Sequence, residues 1–228
     1  MHVRVVTDQP WDVDADVLAV PVLDEPAFEG PLGEIDKRSG GELRALADFG
    51  ELSSKRYSAA LVASGELKAG RLLVIGAGEA AELDRETVVR MGAAFERRLG
   101  GRNVKRLAVW LPPLADALGT AGRGDAAVTA ELLARGVLQG GYEPGSIYRK
   151  EVESAPPELD ELILVAPDRD KAALQKAAER GVIIAEGANL ARTLANRAAN
   201  DVSPEVLADE AYTIARKNRL WIDVIGPD

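Results

Sequence analysis

Two hydrophobic periods alternate along the first 166 residues of the chain. Short runs rich in β-branched residues predict strands, and longer stretches with apolar residues every three or four positions predict helices. The strands are predicted at 3–7, 17–22, 59–64, 72–75, 107–111 and 159–165. One helix is predicted from Asp84, which caps it, to Gly100, and another is predicted from Asp125 to Gln139. This alternation indicates an α/β fold with a mostly parallel or mixed sheet.

Pro21 lies inside the second predicted strand. Because proline has no N–H to donate to a neighbouring strand, it predicts a bulge or an edge position at that point.

A single long helix is predicted from Asp170 to about Asn196, roughly 40 Å at 1.5 Å per residue. Apolar and small residues fall on two opposite sides of it, where a surface helix has one such stripe. One side carries Leu174, Ala177, Ala178, Gly181, Ala185 and Ala188, and the other carries Ile183, Gly187, Leu190 and Leu194. The pattern therefore predicts a spacer helix in contact with two bodies, with its glycines at close backbone approaches.

The last part of the chain begins with an Asn-rich connection at 196–200. Ser203, Pro204 and Glu205 form a helix start, and residues 220–225 (LWIDVI) predict a strand. A final strand needs a sheet to join, either the first sheet or that of a second domain. The two-sided helix favours the second alternative, so we expect one domain at 1–168 and the incomplete start of another at 169–228.

Composition excludes several kinds of site. The chain has 28 Lys and Arg against 37 Asp and Glu, for a net charge of −9, which disfavours nucleic acid as a partner. It has no Cys and one His, His2, which excludes disulfides, thiolate zinc sites and a two-His zinc helix, and argues against a Ser–His–Asp triad. No apolar run suits a membrane span, and the acidic N-terminus does not suit a signal peptide. A cytoplasmic location is expected.

Two Gly-rich stretches have the spacing of nucleotide-binding loops. Residues 76–81 follow a strand, but Ala81 replaces the third glycine and Glu79 would repel a pyrophosphate, so a tight turn is predicted. Residues 119–124 have phosphate-loop spacing, but Asp125 stands where the loop needs Lys. A surface loop is the preferred interpretation there, and an anion or ribose-phosphate site built from backbone N–H groups is the alternative.

Other candidate chemistry is weaker still. Asp12, Asp14 and Asp16 alternate like the start of a calcium loop, but Val17 replaces the required glycine, so a solvated acidic turn is predicted. Four serines have no His near them in sequence and no nucleophile-elbow motif: Ser39, Ser53, Ser54 and Ser64. No catalytic, cofactor-binding or metal-binding residue is predicted from spacing.

Residues 186–208 (EGANLARTLANRAANDVSPEVLA) predict a helix end, a turn in which Asn196 and Asn200 bond backbone groups, and a capped restart. The segment also resembles the opening of the catalytic domain in the leucyl aminopeptidases, the M17 family of dinuclear metallopeptidases, with the approximate pattern N-L-A-R-x-L-x-N-x-P-x-N-x-x-T/S-P-E-x-L-A. Ala198 departs from it, since the family usually has Pro there. The matching positions are Asn189, Leu190, Ala191, Arg192, Leu194, Asn196, Asn200, Ser203, Pro204, Glu205, Leu207 and Ala208. Weaker resemblances at 15–22, 71–76 and 133–142 extend this likeness along the chain.

The resemblance implies a three-layer, macro-domain-like mixed sheet flanked by helices, followed by a linker helix and a short helix–strand unit that starts the peptidase domain. It implies an intact cytosolic enzyme that removes N-terminal residues from peptides with two divalent metals (Zn or Mn), as a homohexamer. The family's ligand strings, G-K-G-x-x-x-D-S-G-G and N-T-D-A-E-G-R, do not occur in the 228 residues. No catalytic or metal residue is therefore carried over, and the chain alone is expected to be an inactive structural or regulatory part.

Two other functions stay open from sequence. The first is a macro-type module that binds ADP-ribose or a nucleotide, with residues 119–124 as its candidate loop. The second is DNA binding through a local basic patch, which the net charge disfavours. The residues of that patch would be Arg97, Arg98, Arg102, Lys105 and Arg106.

Overall fold

The computed structural model describes residues 1–148 and 158–226 and contains one six-stranded sheet. Its strands are β1 (His2–Val6), β2 (Val17–Leu23), β3 (Ala59–Ala63), β4 (Arg71–Gly78), β5 (Arg106–Trp110) and β6 (Glu161–Val165). They lie in the order β1-β6-β5-β2-β4-β3, with β3 antiparallel to β4 and the other pairs parallel. All six predicted strands are confirmed, within three residues at each end.

Seven α-helices accompany the sheet in the described ranges. They are α1 (Gly30–Arg38), α2 (Glu42–Asp48), α3 (Arg85–Leu99), α4 (Pro112–Thr120), α5 (Ala126–Gly140), α6 (Lys171–Asn196) and α7 (Pro204–Asn218). The predicted cap of α3 is confirmed, since Asp84 accepts a hydrogen bond from the Thr87 N–H. Asp125 caps α5 in the same way by accepting a hydrogen bond from the Val128 N–H. Helices α1, α2 and α4 were not predicted.

The sheet lies between two helical layers, which confirms the three-layer α/β class. One face packs against α3, α4 and α5, with Met91, Phe95 and Leu133 among its fully buried side chains. The other face is covered by α1 and α2, through Ile35 and Leu43. Strands buried on both faces explain the continuous apolar runs in the sequence.

Pro21 occupies an unusual place for a proline, because β2 is an interior strand. The β5 ladder reaches only from Val17 to Ala19 on β2, so Pro21 lies beyond its end, and the register with β4 shifts between Val22 and Leu23. The predicted irregularity is confirmed. The missing N–H breaks no ladder because β5 has already ended there.

The predicted strand at 220–225 is wrong. Residues 220–226 form no strand and follow α7 as an irregular segment, with the side chain of Trp221 87% exposed and that of Ile225 91% exposed. An apolar run becomes a strand only when a neighbouring strand completes its hydrogen bonds, and no strand of the described sheet lies beside it. The short helix–strand unit is thus a helix followed by an irregular segment.

None of the helices in residues 1–148 and 158–226 combines the length and the apolar character needed to cross a membrane.

Candidate docking surface of the last two helices

The first half of α6 is built into the body. Asp170 caps it by accepting hydrogen bonds from the N–H groups of Ala172 and Ala173. The buried residues of the helix are Leu174, Ala178, Gly181 and Ala185, all from one of the two predicted stripes. A Cβ on Gly181 would lie 2.2 Å from the carbonyl oxygen of Glu131, so only glycine allows the backbones of α5 and α6 to approach this closely.

The opposite stripe of α6 is uncovered in the described structure. The side chain of Ile183 is 68% exposed, Leu190 and Leu194 are half-buried, and a Cβ on Gly187 would meet nothing within 4 Å. Among the described residues nothing approaches Gly187 closely. Contact on this second side stays a prediction.

Two side chains near the end of α6 clamp it to the last turn of α5. The Asn189 Nδ2 donates to the Leu138 carbonyl at 3.1 Å, and the Arg192 Nη1 donates to the Gln139 carbonyl at 3.0 Å. The Arg192 guanidinium also lies 4.0 Å from the centre of the Tyr142 ring. Carbonyls at a helix C-terminus lack helical partners and carry partial negative charge, so an amide and a cation suit them. The N-L-A-R part of the recognised motif is a structural clamp.

The Asn-rich connection is held by two tyrosines that follow α5. The Asn196 Nδ2 donates to the Arg192 carbonyl at 2.8 Å and lies 3.4 Å from the Tyr142 hydroxyl. The Tyr148 hydroxyl accepts from the Ala198 N–H and donates to the Asp201 carboxylate at 3.3 Å. The predicted backbone bond of Asn196 is confirmed. Both tyrosines were missed as partners of this motif, because more than 40 residues separate them from it.

Helix α7 begins as predicted, since the Ser203 hydroxyl accepts from the Val206 N–H at 3.4 Å. Hydrogen bonds from the Ser203 hydroxyl and from its own backbone N–H hold the pKa of Glu205 below its usual value. Of the helix's residues, Ala215 is the one that is buried among the described groups.

The remaining apolar residues of this region form what we call the apolar surface. Its members are the exposed large apolar side chains of α6, α7 and residues 220–225: Ile183, Ile184, Leu207, Tyr212, Ile214, Leu220, Trp221, Val224 and Ile225. Single exposed apolar residues are ordinary in folded proteins, but many along consecutive elements mark an interaction site. The clamp holds α6, and α7 and residues 220–225, which carry most of the surface, follow it along the chain.

A cavity of about 510 Å³ lies beside the clamp, between the C-terminal ends of α3 and α5. Its lining includes Asn189, Tyr142 and three carboxylates, those of Glu96, Glu143 and Glu158. Burial raises the pKa of Glu96. Nowhere in ranges 1–148 and 158–226 do three or more His, Cys, Asp or Glu side chains form a group that could hold a metal ion. The described residues therefore do not fit the metals of a dinuclear peptidase.

In both Gly-rich stretches, backbone N–H groups donate hydrogen bonds to carbonyls of the protein itself. Gly122 and Arg123 donate to carbonyls of the last turn of α4, and Asp125 occupies the start of α5. In the other stretch, the Gly76 N–H donates to the Ser58 carbonyl at 2.8 Å and the Gly78 N–H to the Ser54 carbonyl at 2.7 Å. The N–H groups of Gly76, Gly78, Gly122 and Arg123 are therefore not available to an anion, which disfavours a phosphate site at either loop.

The carboxylates of the acidic turn lie next to cations, one of which, Arg106, belongs to the basic patch. Arg106 bonds the Asp14 carboxylate at 2.8 Å and thereby lowers the pKa of Asp14, while Asp16 accepts from the N–H groups of Lys105 and Arg106. Lys68 lies 3.5 Å from Asp12. The three aspartates bind different groups, which does not favour a calcium site. Two of the five patch cations are paired with carboxylates, Arg106 with Asp14 and Lys105 with Asp160 at 3.7 Å, which does not favour DNA.

The candidate serine nucleophiles have structural roles where the structure shows a bond. The Ser39 and Ser64 hydroxyls donate to the carbonyls of Asp36 and Gly70, and the Ser53 hydroxyl accepts from the Lys55 N–H. The single histidine, His2, lies at the far edge of the sheet on β1. None of the serine hydrogen bonds named above involves His2.

Comparison with known proteins decides the family. Residues 19–147 match the family model described as the N-terminal domain of the cytosol aminopeptidase family. The chain belongs to that family. It is 30% identical to a probable cytosol aminopeptidase of Roseiflexus castenholzii, over 100% of this chain and 43% of that protein. It is 31% identical to a probable cytosol aminopeptidase of Solibacter usitatus, over 100% of this chain and 42% of that protein.

Solved structures agree with this cytosol aminopeptidase assignment. A tomato leucine aminopeptidase mutant matches with a TM-score of 0.77 over 95% of this chain and 42% of that one, at 21% identity, which shows a shared fold. The bottromycin maturation enzyme BotP in complex with Mn matches with a TM-score of 0.64, over 89% of this chain and 36% of that chain, at 25% identity. The chain thus spans less than half the length of these relatives.

Proposed function

We propose that the chain is the N-terminal, non-catalytic part of a cytosolic leucyl aminopeptidase. In this proposal residues 1–168 form the N-terminal domain, and residues 169–228 form the interdomain helix and the beginning of the peptidase domain. The observation that carries it is the contrast along α6, which is clamped to the body by Asn189 and Arg192 yet continues into the apolar surface. The relatives are more than twice as long as the segment that matches.

The role of the clamp is to set the direction in which α7 leaves the body. Arg192 makes three contacts at once, with the Gln139 carbonyl, the Asn189 amide oxygen and the Tyr142 ring. A planar guanidinium can bond and stack simultaneously, whereas a lysine ammonium cannot. The apolar surface would then meet the remainder of the peptidase domain in one orientation. Burial of one large apolar side chain contributes about 1.5–3 kcal/mol, so several of them suffice for stable docking.

The intact enzyme, in the same proposal, removes N-terminal residues from peptides in the cytoplasm as a homohexamer. Two divalent metals, Zn or Mn, would lower the pKa of bound water and polarise the scissile carbonyl. BotP, a related fold, is known in complex with Mn. Because the residues described here hold no fitting cluster, we assign none of them to the chemical step.

A chimaera tests the proposal. The chain is joined at residue 228 to the peptidase portion of the Solibacter usitatus relative, in place of that protein's own N-terminal part. We expect Mn²⁺- or Zn²⁺-dependent release of leucine from a leucyl amide by the chimaera and none by the 228-residue chain. Release by the chain alone would contradict the proposal.

The docking step has its own matched pair of variants in that chimaera. Trp221→Ser removes a member of the apolar surface, and Phe49→Ser removes a side chain of similar exposure (82%) at the end of α2. We expect the first to lower the thermal midpoint and the leucine release, and the second to change neither. Equal effects of the two substitutions would reject docking through the apolar surface.

A further inference from the structure

The outward-facing backbone groups of one edge strand, β1, are hydrogen-bonded by a side chain, and those of the other edge strand, β3, are not, among the described residues. The Gln175 side chain on α6 donates from Nε2 to the Val3 carbonyl at 3.0 Å and accepts at Oε1 from the Val5 N–H at 2.9 Å. One amide therefore satisfies two outward-facing groups of the strand, as a neighbouring strand would. Covering an edge in this way prevents it from pairing with another chain.

The opposite edge, β3, lacks such a cover. The Gly76 N–H donates to the Ser58 carbonyl, and the antiparallel register pairs Ala59 with Ile75 and Leu61 with Leu73. Because antiparallel ladders alternate, residues 60 and 62 direct their peptide groups to β4, and residues 59, 61 and 63 direct theirs outwards. No hydrogen bond from elsewhere in the described ranges reaches those three residues.

The β3 sequence also lacks the usual protections of an edge. Its five residues, AALVA, include no charge, no proline and no glycine, and Leu61 at the centre is 38% exposed. Natural edge strands are usually blunted by Lys, Pro or a bulge because an open edge recruits other strands. One edge of the sheet is covered and the opposite edge is open, which indicates that the open edge binds another strand.

We propose that β3 pairs with β3 of a second copy of this chain, antiparallel about a two-fold axis at Leu61, to form one continuous sheet. This register opposes Leu61 to Leu61 and Ala59 to Ala63. All three outward residues of each strand then bond an outward residue of the other. A shift by one residue would oppose outward to inward groups, and a shift by two would leave one outward residue of each strand without its partner.

Charge next to the strand favours a second copy over an arbitrary extended segment. Lys55 and Arg56 precede β3, and Glu66 follows it. An antiparallel pair places the basic segment of each copy near Glu66 of the other, at both ends of the ladder, and Lys68 beside Glu66 already lies 3.5 Å from Asp12. Arg56 already bonds Glu82 at 3.0 Å, so Lys55 is the cation left to Glu66 among these described groups. The contact is a small one, and a weak dimer is expected.

Sedimentation equilibrium of the 228-residue chain tests the dimer, over a concentration series up to about 1 mM that covers weak interfaces. We expect a monomer–dimer equilibrium whose Kd rises at least tenfold in Leu61→Lys, because two ammonium groups would meet at the axis. Phe49→Lys adds the same charge outside β3 and should leave Kd unchanged. A monomer at every concentration overturns the proposal, as does a dimer that Trp221→Ser abolishes and Leu61→Lys does not.

A distance measurement tests the register without changing β3. The chain has no cysteine, so Ser64→Cys accepts a single nitroxide label. In the proposed register the two labelled backbones lie about 20 Å apart, from six residue steps of ~3.4 Å, and a shift by two residues would give about 14 or 27 Å. Dipolar coupling at the first distance supports the proposal, and either other distance or no coupling overturns it.

Discussion

Helices α3 and α7 are both 15 residues long and both begin with a polar side chain that caps the first turn, yet only α3 is buried. Six residues of α3 are buried, among them Val88, Met91 and Phe95, whereas the one buried residue of α7 among those described is Ala215. Local signals therefore determine that a helix forms, and the partner determines how much of it is covered. A helix of this length is marginal by itself, and the body covers little of α7 among the described residues.

The largest expected effect compares one large apolar side chain from each helix. Phe95→Ala removes a fully buried ring and should lower the free energy of unfolding by about 3–5 kcal/mol. Leu207→Ala in α7 removes an exposed side chain and should change it by less than about 0.5 kcal/mol. Urea unfolding of both variants measures the two values. Similar losses would mean that α7 packs as firmly as α3 does.

Two glycines on α6 compare the side of that helix that packs against the body with the side that is uncovered. Gly181→Ala would place a Cβ 2.2 Å from the Glu131 carbonyl oxygen and should destabilise by about 1–3 kcal/mol through overpacking. Gly187→Ala meets open space and should stabilise by up to about 1 kcal/mol through helix propensity. Thermal unfolding reports both signs. Destabilisation by Gly187→Ala would place a partner on the outer stripe of α6.

These comparisons also explain how far the sequence could predict the molecule. Hydrophobic period and caps were sufficient for the six strands and for α3, α5, α6 and α7, because those signals lie within each segment. Helix α4 was missed because Pro112 and Pro113 indicate the end of β5 as well as a helix start, and proline suits a first helical turn. The segment 220–225 was misjudged because a strand needs a partner that its own residues do not contain.

The clamp shows the same limit at the level of side chains. The importance of Asn189 and Arg192 was evident from the motif, but their acceptors are carbonyls at Leu138 and Gln139, about 50 residues earlier. Backbone carbonyls carry no sequence signature, so composition and spacing could not identify them. The position of β3 at the edge of the sheet is similarly a property of strand order. The hydrophobic period within a segment does not determine that order.

The smallest expected effect contrasts one glutamate from each helix as pH changes. Burial raises the pKa of Glu96 on α3 above the ordinary 4.5, so the native state holds its proton longer than the unfolded chain does. This group's unfavourable contribution is absent below about pH 4.5 and grows as pH rises through the folded pKa. Glu96→Gln should therefore stabilise the protein at pH 7 and have a smaller effect at pH 4.

Glu205 on α7 has the opposite sign. Hydrogen bonds at the helix start lower its pKa below 4.5, so its favourable contribution is present above that value and is lost as pH falls through the folded pKa. Glu205→Gln should consequently destabilise α7 at pH 7, and the effect should fade in acid. Because α7 is coupled weakly to the body, amide hydrogen exchange of α7 detects this change and global unfolding does not. A shift of the global unfolding midpoint by Glu205→Gln as large as that by Glu96→Gln would show that α7 and the body unfold as one unit.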